Sequence, residues 1–244
     1  MLLDARQLAD FYETPLGQVA RRIIARRLRL LWPSLKGQRL LGYGFAVPYL
    51  RPFLGEAEHV AAVMPAQQGV VAWPSGKCLT ALAEEDALPF ADALFDRILV
   101  VHGLESADAA RPLMRQLWRV LAPEGRLIVV APNRASIWAQ VERSPFALGR
   151  PFHRGELERL LRGALFEPLR WDRALYVPPL NGRRLARTGA GWERIGRKLW
   201  PGIAGVHLVE AGKSLYAIAP PLAERRKEAA FAHALSATRA SSSP

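Results

Sequence analysis

Along the chain, short apolar runs alternate with longer stretches in which apolar side chains recur at helical spacing. Ile98 to Val101 and Leu127 to Ala131 are short and rich in β-branched residues, as buried parallel strands tend to be. Between them Leu113, Leu117, Val120 and Leu121 repeat every three to four positions, with Ser106 as a candidate N-cap and Pro123 and Gly125 as the stop. Strand, helix, strand over this length predicts a right-handed βαβ unit, and with it an α/β protein.

The pattern extends to both sides of that unit. Residues 15 to 31 predict a helix with Arg22, Arg26 and Arg29 on one face and Ile24, Leu28 and Leu31 on another. It reads either as a basic surface for lipid or nucleic acid or as a helix packed on the sheet with its arginines in solvent. Gln38 to Gly42 predicts the first strand, followed by a turn through Gly42, Tyr43, Gly44, Phe45 and Ala46 and a helix opening at Pro48, a favoured first helical residue. His59 to Val63 and Gly76 to Ala83 predict the second and third strands. Ser144 to Leu157, with two Pro-Phe units and Gly149, reads as an ordered loop over a site. A helix over Glu156 to Leu165, a sixth strand over Glu167 to Val177 and a hairpin-like last strand over Val206 to Ala219 follow. From Pro220 the hydrophobic pattern fades, and residues 221–244 read as a disordered tail.

Composition changes this picture little. The 244 residues suffice for one large core with decorations, and half of them are hydrophobic. No apolar run reaches the length of a membrane-spanning helix, and the first residues do not read as a signal peptide, so the cytoplasm is the expected location. The single cysteine, Cys78, excludes an internal disulfide framework and a cysteine-rich zinc site. The net charge of +12 favours anionic partners, a nucleic acid or an anionic membrane surface among them. The stretch from Asn181 to Trp200 concentrates that charge in Arg183, Arg184, Arg187, Arg194, Arg197 and Lys198, with Trp192 and Trp200 interleaved. It reads as an insertion for an anionic substrate, as a membrane or RNA contact, or as an amphipathic helix turning Trp192, Ile195 and Leu199 to the core.

The motifs of the central block narrow the fold. Leu88-Pro89-Phe90, Phe95-Asp96 and the run Arg119 to Gly125 (R-V-L-A-P-E-G) resemble, in this order, the central half of a class I S-adenosylmethionine-dependent methyltransferase, and more narrowly its small-molecule branch. The resemblance covers roughly residues 36 to 170. It implies a Rossmann-like mixed seven-stranded sheet with helices on both faces, and S-adenosylmethionine as cofactor. On this reading residues 1–35 form an N-terminal helical cap and residues 36–220 the methyltransferase-like domain, with the basic insertion at about 181–201.

The resemblance also implies where the cofactor would lie. Gly42, Tyr43 and Gly44 fall where the family's glycine loop belongs, at the carboxyl edge of the sheet where backbone approaches ligand closely. Glu84 matches the acid that accepts from the adenine amino group, with the Glu85 N–H toward a ring nitrogen; Asp86 is the alternative, and a solvated acidic loop the plain reading. Val101 and His102 end the fourth strand at the same edge. His102 is either a general base, since imidazole exchanges protons near neutral pH, or a packing and backbone contact to the cofactor. Glu105 is read as opening the next helix, where the dipole favours an acid. Tyr12, in the N-terminal helix, would help close the site, and Arg150 and His153 are candidate substrate contacts. The sequence departs from the family at Leu40 and Ala46, and at Met64, which stands with Pro65 where an acid should accept from the ribose hydroxyls. Losing a hydrogen bond to a charged group forgoes about 1.5–3 kcal/mol.

Methyl transfer from a sulfonium is an in-line displacement that needs positioning in a dry pocket more than a catalytic dyad. Pro132-Asn133-Arg134 follows the fifth strand rather than the fourth, so it is not the tetrad used for planar nitrogens. Two readings result. One is methyl transfer to a small or lipid-like acceptor; the other is an inactive methyltransferase fold that serves as a binding or regulatory partner.

Overall fold

A computed structural model describes residues 4–141, 144–179 and 183–214, the side chains of 183–190 and 201 excepted. A seven-stranded sheet runs through them in the order β3-β2-β1-β4-β5-β7-β6. Its strands are β1 (Arg39–Gly44), β2 (His59–Pro65), β3 (Thr80–Ala83), β4 (Phe95–Val101), β5 (Leu121–Pro132), β6 (Phe166–Ala174) and β7 (Val206–Lys213). The first five are parallel to their neighbours, while β7 lies antiparallel between β5 and β6. The mixed seven-stranded sheet expected from the motifs is thus the one the chain forms.

Alternating strand residues feed two cores, one on each face. Leu40, Met64, Leu99, Val101, Ile128 and Val130 point into the first, which is covered by α1 (Ala5–Glu13), α2 (Pro15–Leu31) and α3 (Val47–Leu50). Leu41, Tyr43, Ile98, Val100, Leu127 and Val129 point into the second, beneath α4 (Ala110–Val120) and α5 (Arg154–Gly163). The α2 helix has the predicted bounds and the predicted faces, with Ile24 and Leu28 buried and Arg22, Arg26 and Arg29 in solvent. The Asp96 carboxylate, just inside β4, accepts from the backbone and guanidinium of Arg39 and so ties the starts of β4 and β1.

Several expectations change. β1 continues through Gly44, so Gly42 and Tyr43 lie in the strand rather than in a turn, and α3 is only four residues long. β3 is confined to its last four residues. Helix α4 starts later than Ser106 implies: its N-cap, Ala109, makes no side-chain cap, and the Glu85 carboxylate instead accepts from the N–H groups of Asp108 and Ala109.

The sixth helix, α6 (Arg183–Leu199), lies inside the predicted basic segment, but its faces are the reverse of the core-facing reading. Glu193 is buried and accepts from the Tyr176 N–H at 2.6 Å, while Trp192, Ile195 and Leu199 are exposed. A side chain at Gly196 would collide with Tyr176, so the helix rests on the body at Gly196 and Glu193. The last strand ends at Lys213. The expected tail over 221–244 lies outside the described residues.

Candidate active site

The carboxyl ends of β1 and β4 meet at the switch point of the sheet, where α/β proteins hold their ligands. Gly44 ends β1 with φ +73°, and a Cβ there would stand 2.4 Å from the Val101 carbonyl and 2.7 Å from the Gly103 backbone. Glycine is therefore required at this position both by conformation and by the close approach of the two strands. His102 follows β4 with φ +51°, an uncommon conformation for a residue with a side chain. Its carbonyl accepts from Gln68 Nε2 at 3.0 Å.

That backbone aims the imidazole into a buried chain of hydrogen bonds. His102 Nδ1 lies 3.1 Å from Glu105 Oε1, and Nε2 lies 2.7 Å from the Tyr12 hydroxyl. Tyr49 in turn donates to the Tyr12 hydroxyl at 2.9 Å. A carboxylate only accepts, so Nδ1 carries the proton and Nε2 accepts from Tyr12. None of these four side chains is more than 5% exposed. Phe45 stacks parallel to Tyr12 at 6.0 Å, and Phe146 lies against His102 at 5.0 Å. Burial raises the Tyr12 phenol well above its usual pKa, with Tyr49 and the Glu105 charge adding to the effect, and burial raises that of Tyr49 too.

Each member arrives from a different element. The Asp4–Gln7 capping box starts α1, which carries Tyr12 on its last turn. Tyr49 comes from α3, and His102 and Glu105 from the turn after β4. Glu105 does not open α4, as its position suggested. It is buried beside His102, and its backbone carbonyl accepts from the Arg150 N–H in the loop over the site. Tyr49, Gln68 and Phe146 carry no signal in the sequence that would have marked them. Only the i, i+3 spacing of His102 and Glu105 is local.

The other candidates separate. Met64 is fully buried in the core that holds Tyr12, and Val101 lies beneath the Gly44 contact. The Tyr43 ring turns to the opposite core under Gly103, its phenol raised by burial and by Glu85 and Glu84 nearby. Glu84 is exposed and its backbone bridges to Ala87, whereas Glu85 is buried as the anchor of α4 and also accepts from Gln67. Asn133 is structural: its amide donates to the carbonyls of Gly202 and Ala204. His153 is exposed at the start of α5, and the exposed Arg150 side chain lines a cleft with Leu104, Ala107 and Arg111.

Three buried polar atoms around this edge have no hydrogen-bond partner among the described residues: Tyr43 Oη, Gln68 Oε1 and Glu105 Oε2. Buried polar groups are seldom left unpaired. These acceptors fit a ligand rich in hydroxyl and amine hydrogens, as a nucleoside is, although they include no carboxylate at the end of β2.

Residues 41–129 match the family model described as a methyltransferase domain. A demethylmenaquinone methyltransferase from a Parafrankia species is 31% identical over 144 residues, which is 54% of this chain and 52% of that protein. A ubiquinone/menaquinone biosynthesis C-methyltransferase from Klebsiella pneumoniae is 44% identical over 48 residues, 20% of this chain and 19% of that protein. The chain thus spans about half or less of the length of these curated relatives. Among solved structures, an S-adenosylmethionine-dependent methyltransferase from Mesorhizobium loti superposes with a TM-score of 0.55 at 15% identity, covering 77% of this chain and 96% of that one. The Burkholderia thailandensis 1,6-didemethyltoxoflavin N1-methyltransferase, solved with S-adenosylhomocysteine, gives 0.51 at 19% identity over 80% and 78%. These likenesses are of fold, and together with the family match and the strand order they carry one conclusion. Residues 41–129 match a methyltransferase domain, and the chain has the Rossmann-like fold of the class I S-adenosylmethionine-dependent methyltransferases.

Proposed function

We propose that this protein transfers a methyl group from S-adenosylmethionine to a small or lipid-like acceptor that must lose a proton to react. The observation that carries the reading is the buried chain Glu105–His102–Tyr12–Tyr49 at the switch point of the sheet. The bound cofactor would supply a methyl group already activated on a sulfonium. Gly44 lets β1 close on the turn after β4 at the sheet edge, and Gln68, four residues beyond Met64, offers the unpaired amide oxygen as acceptor for a hydroxyl. Helix α1 contributes Tyr12, which covers the buried imidazole.

The residues then move one proton. A proton taken up at the Tyr12 oxygen is matched by transfer of the Tyr12 proton to His102 Nε2, and Glu105 stabilises the imidazolium. Such general-base assistance contributes roughly 10²–10⁴-fold. The relatives named as a ubiquinone/menaquinone biosynthesis C-methyltransferase and a demethylmenaquinone methyltransferase support an aromatic hydroxyl acceptor, because a ring carbon becomes nucleophilic once a neighbouring hydroxyl is deprotonated.

The test is calorimetric titration with S-adenosylmethionine and S-adenosylhomocysteine, beside tritiated methyl transfer to a naphthoquinol. Wild type should bind both, and His102→Gln should keep S-adenosylhomocysteine affinity within a few-fold while losing at least about 100-fold in transfer. Binding with unimpaired transfer in the variant would remove His102 from the reaction. Absence of any heat at millimolar ligand would sink the enzyme reading. It would favour the second reading, an inactive fold kept as a binding partner, for which the fully buried Met64 at the ribose position speaks.

A further inference from the structure

The proposed reaction makes no use of the outer face of α6. Trp192, Ile195 and Leu199, at i, i+3 and i+7, share one stripe of this helix and are 41%, 50% and 58% exposed. Trp200 and Ile203 follow directly in the chain at 54% and 41%. The outward roll is fixed from within, because Gly196 fits beneath Tyr176 and the buried Glu193 accepts the Tyr176 N–H. Large apolar side chains grouped in this way on a surface mark a contact, since scattered single exposures are the norm.

The chemistry of the surroundings names the partner. Around the stripe Arg194, Arg197 and Lys198 stand in solvent, and the sequence of α6 holds six basic residues against the single acid Glu193. Helix α2 packs beside α6 and presents Arg22 and Arg26 to solvent. A helix with Trp, Ile and Leu on one side and arginine and lysine on the other suits the headgroup boundary of a bilayer, where tryptophan finds both an apolar and a wet neighbour. We propose that α6 and the turn after it dock this protein on an anionic lipid bilayer. The turn Pro201–Ile203 is fastened by Asn133 just past the carboxyl end of β5, next to β4, which His102 follows. Docking by this face therefore brings lipid to the sheet edge that holds the buried chain. The proposal rests on α6 and holds whether or not methyl transfer does.

The experiment is co-sedimentation of the full-length protein with vesicles of phosphatidylcholine alone and of phosphatidylcholine with phosphatidylglycerol. Binding is expected to the anionic vesicles and to fall as salt rises. The variant Trp192→Ser/Ile195→Ser/Leu199→Ser, its fold checked by thermal melting, should bind at least about tenfold more weakly. Should that variant fail to fold, Arg194→Gln/Lys198→Gln is read instead, with an expected loss of about thirtyfold on anionic vesicles. Quenching of tryptophan emission by brominated lipid in wild type would support shallow insertion. The proposal is overturned by absent vesicle binding at low salt, or by undiminished binding of the folded variants. A dimer that the apolar triple variant abolishes, or retention on RNA with no binding to vesicles, overturns it too by assigning the face to another occupant.

Discussion

Tyr12 and His102 stand 90 positions apart, and their 2.7 Å hydrogen bond is the tightest link between the N-terminal helix and the sheet edge. Tyr12→Phe keeps the ring on Phe45 but leaves His102 Nε2 buried without a donor. The cost should be about 1–3 kcal/mol, read as a lower urea midpoint with an unchanged m-value. Tyr49→Phe removes only the terminal donor and leaves Tyr12 still donating to His102, so it should cost about 0.5–1.5 kcal/mol. A larger loss at Tyr49 than at Tyr12 would contradict the direction in which these bonds run. His102 and Tyr12 were both legible as candidates, one from its place after a strand and the other from the resemblance. Their bond was not, because nothing local in a sequence reports a contact across 90 residues.

At the scale of elements, the parallel strands and α2 were readable because periodicity alone separates a buried strand from an amphipathic helix. One failure has a plain physical cause. Ser106 looked like a cap by residue type, yet the helix is anchored from a distant loop by Glu85. Glu85→Ala should therefore cost about 1.5–3 kcal/mol, because N–H groups at the start of α4 lose a charged acceptor. Glu84→Ala, at an exposed position, should stay within about 0.5 kcal/mol of wild type. Equilibrium denaturation of the two alanine variants side by side separates the roles, and equal losses would refute the assignment. The roll of α6 escaped for a related reason. Its stripe of Trp192, Ile195 and Leu199 has the spacing of a core face, and only the seat of Gly196 on Tyr176 turns it outward.

For the molecule as a whole, the two cores are joined through a sheet whose antiparallel side carries one ionisable group in an unfavourable place. His207 lies in β7, opposite Ala131 of β5 and Arg173 of β6, and is 4% exposed. Burial lowers its pKa to about 4, and Arg173, Arg154 and His153 push the same way against the backbone at Phe152. The unfolded chain binds this proton from about pH 6.5 downward, while the folded chain resists it until about pH 4. Stability from this group is thus present above pH 6.5 and lost as pH falls toward 4, by roughly 2 kcal/mol between pH 7 and pH 5. The carboxylates of Glu56, Asp96 and Glu156 act in a lower window. Arginine partners at Glu56 and Asp96, and the His153 backbone at Glu156, depress them, so their contribution persists until pH falls through the ordinary carboxylate range. The two windows can be separated by one substitution. His207→Leu should flatten the decline of Tm between pH 7 and pH 5 while leaving the steeper loss below about pH 4 in place. If the variant and wild type decline in parallel across the upper window, His207 is not the group that makes the fold sensitive to mild acid.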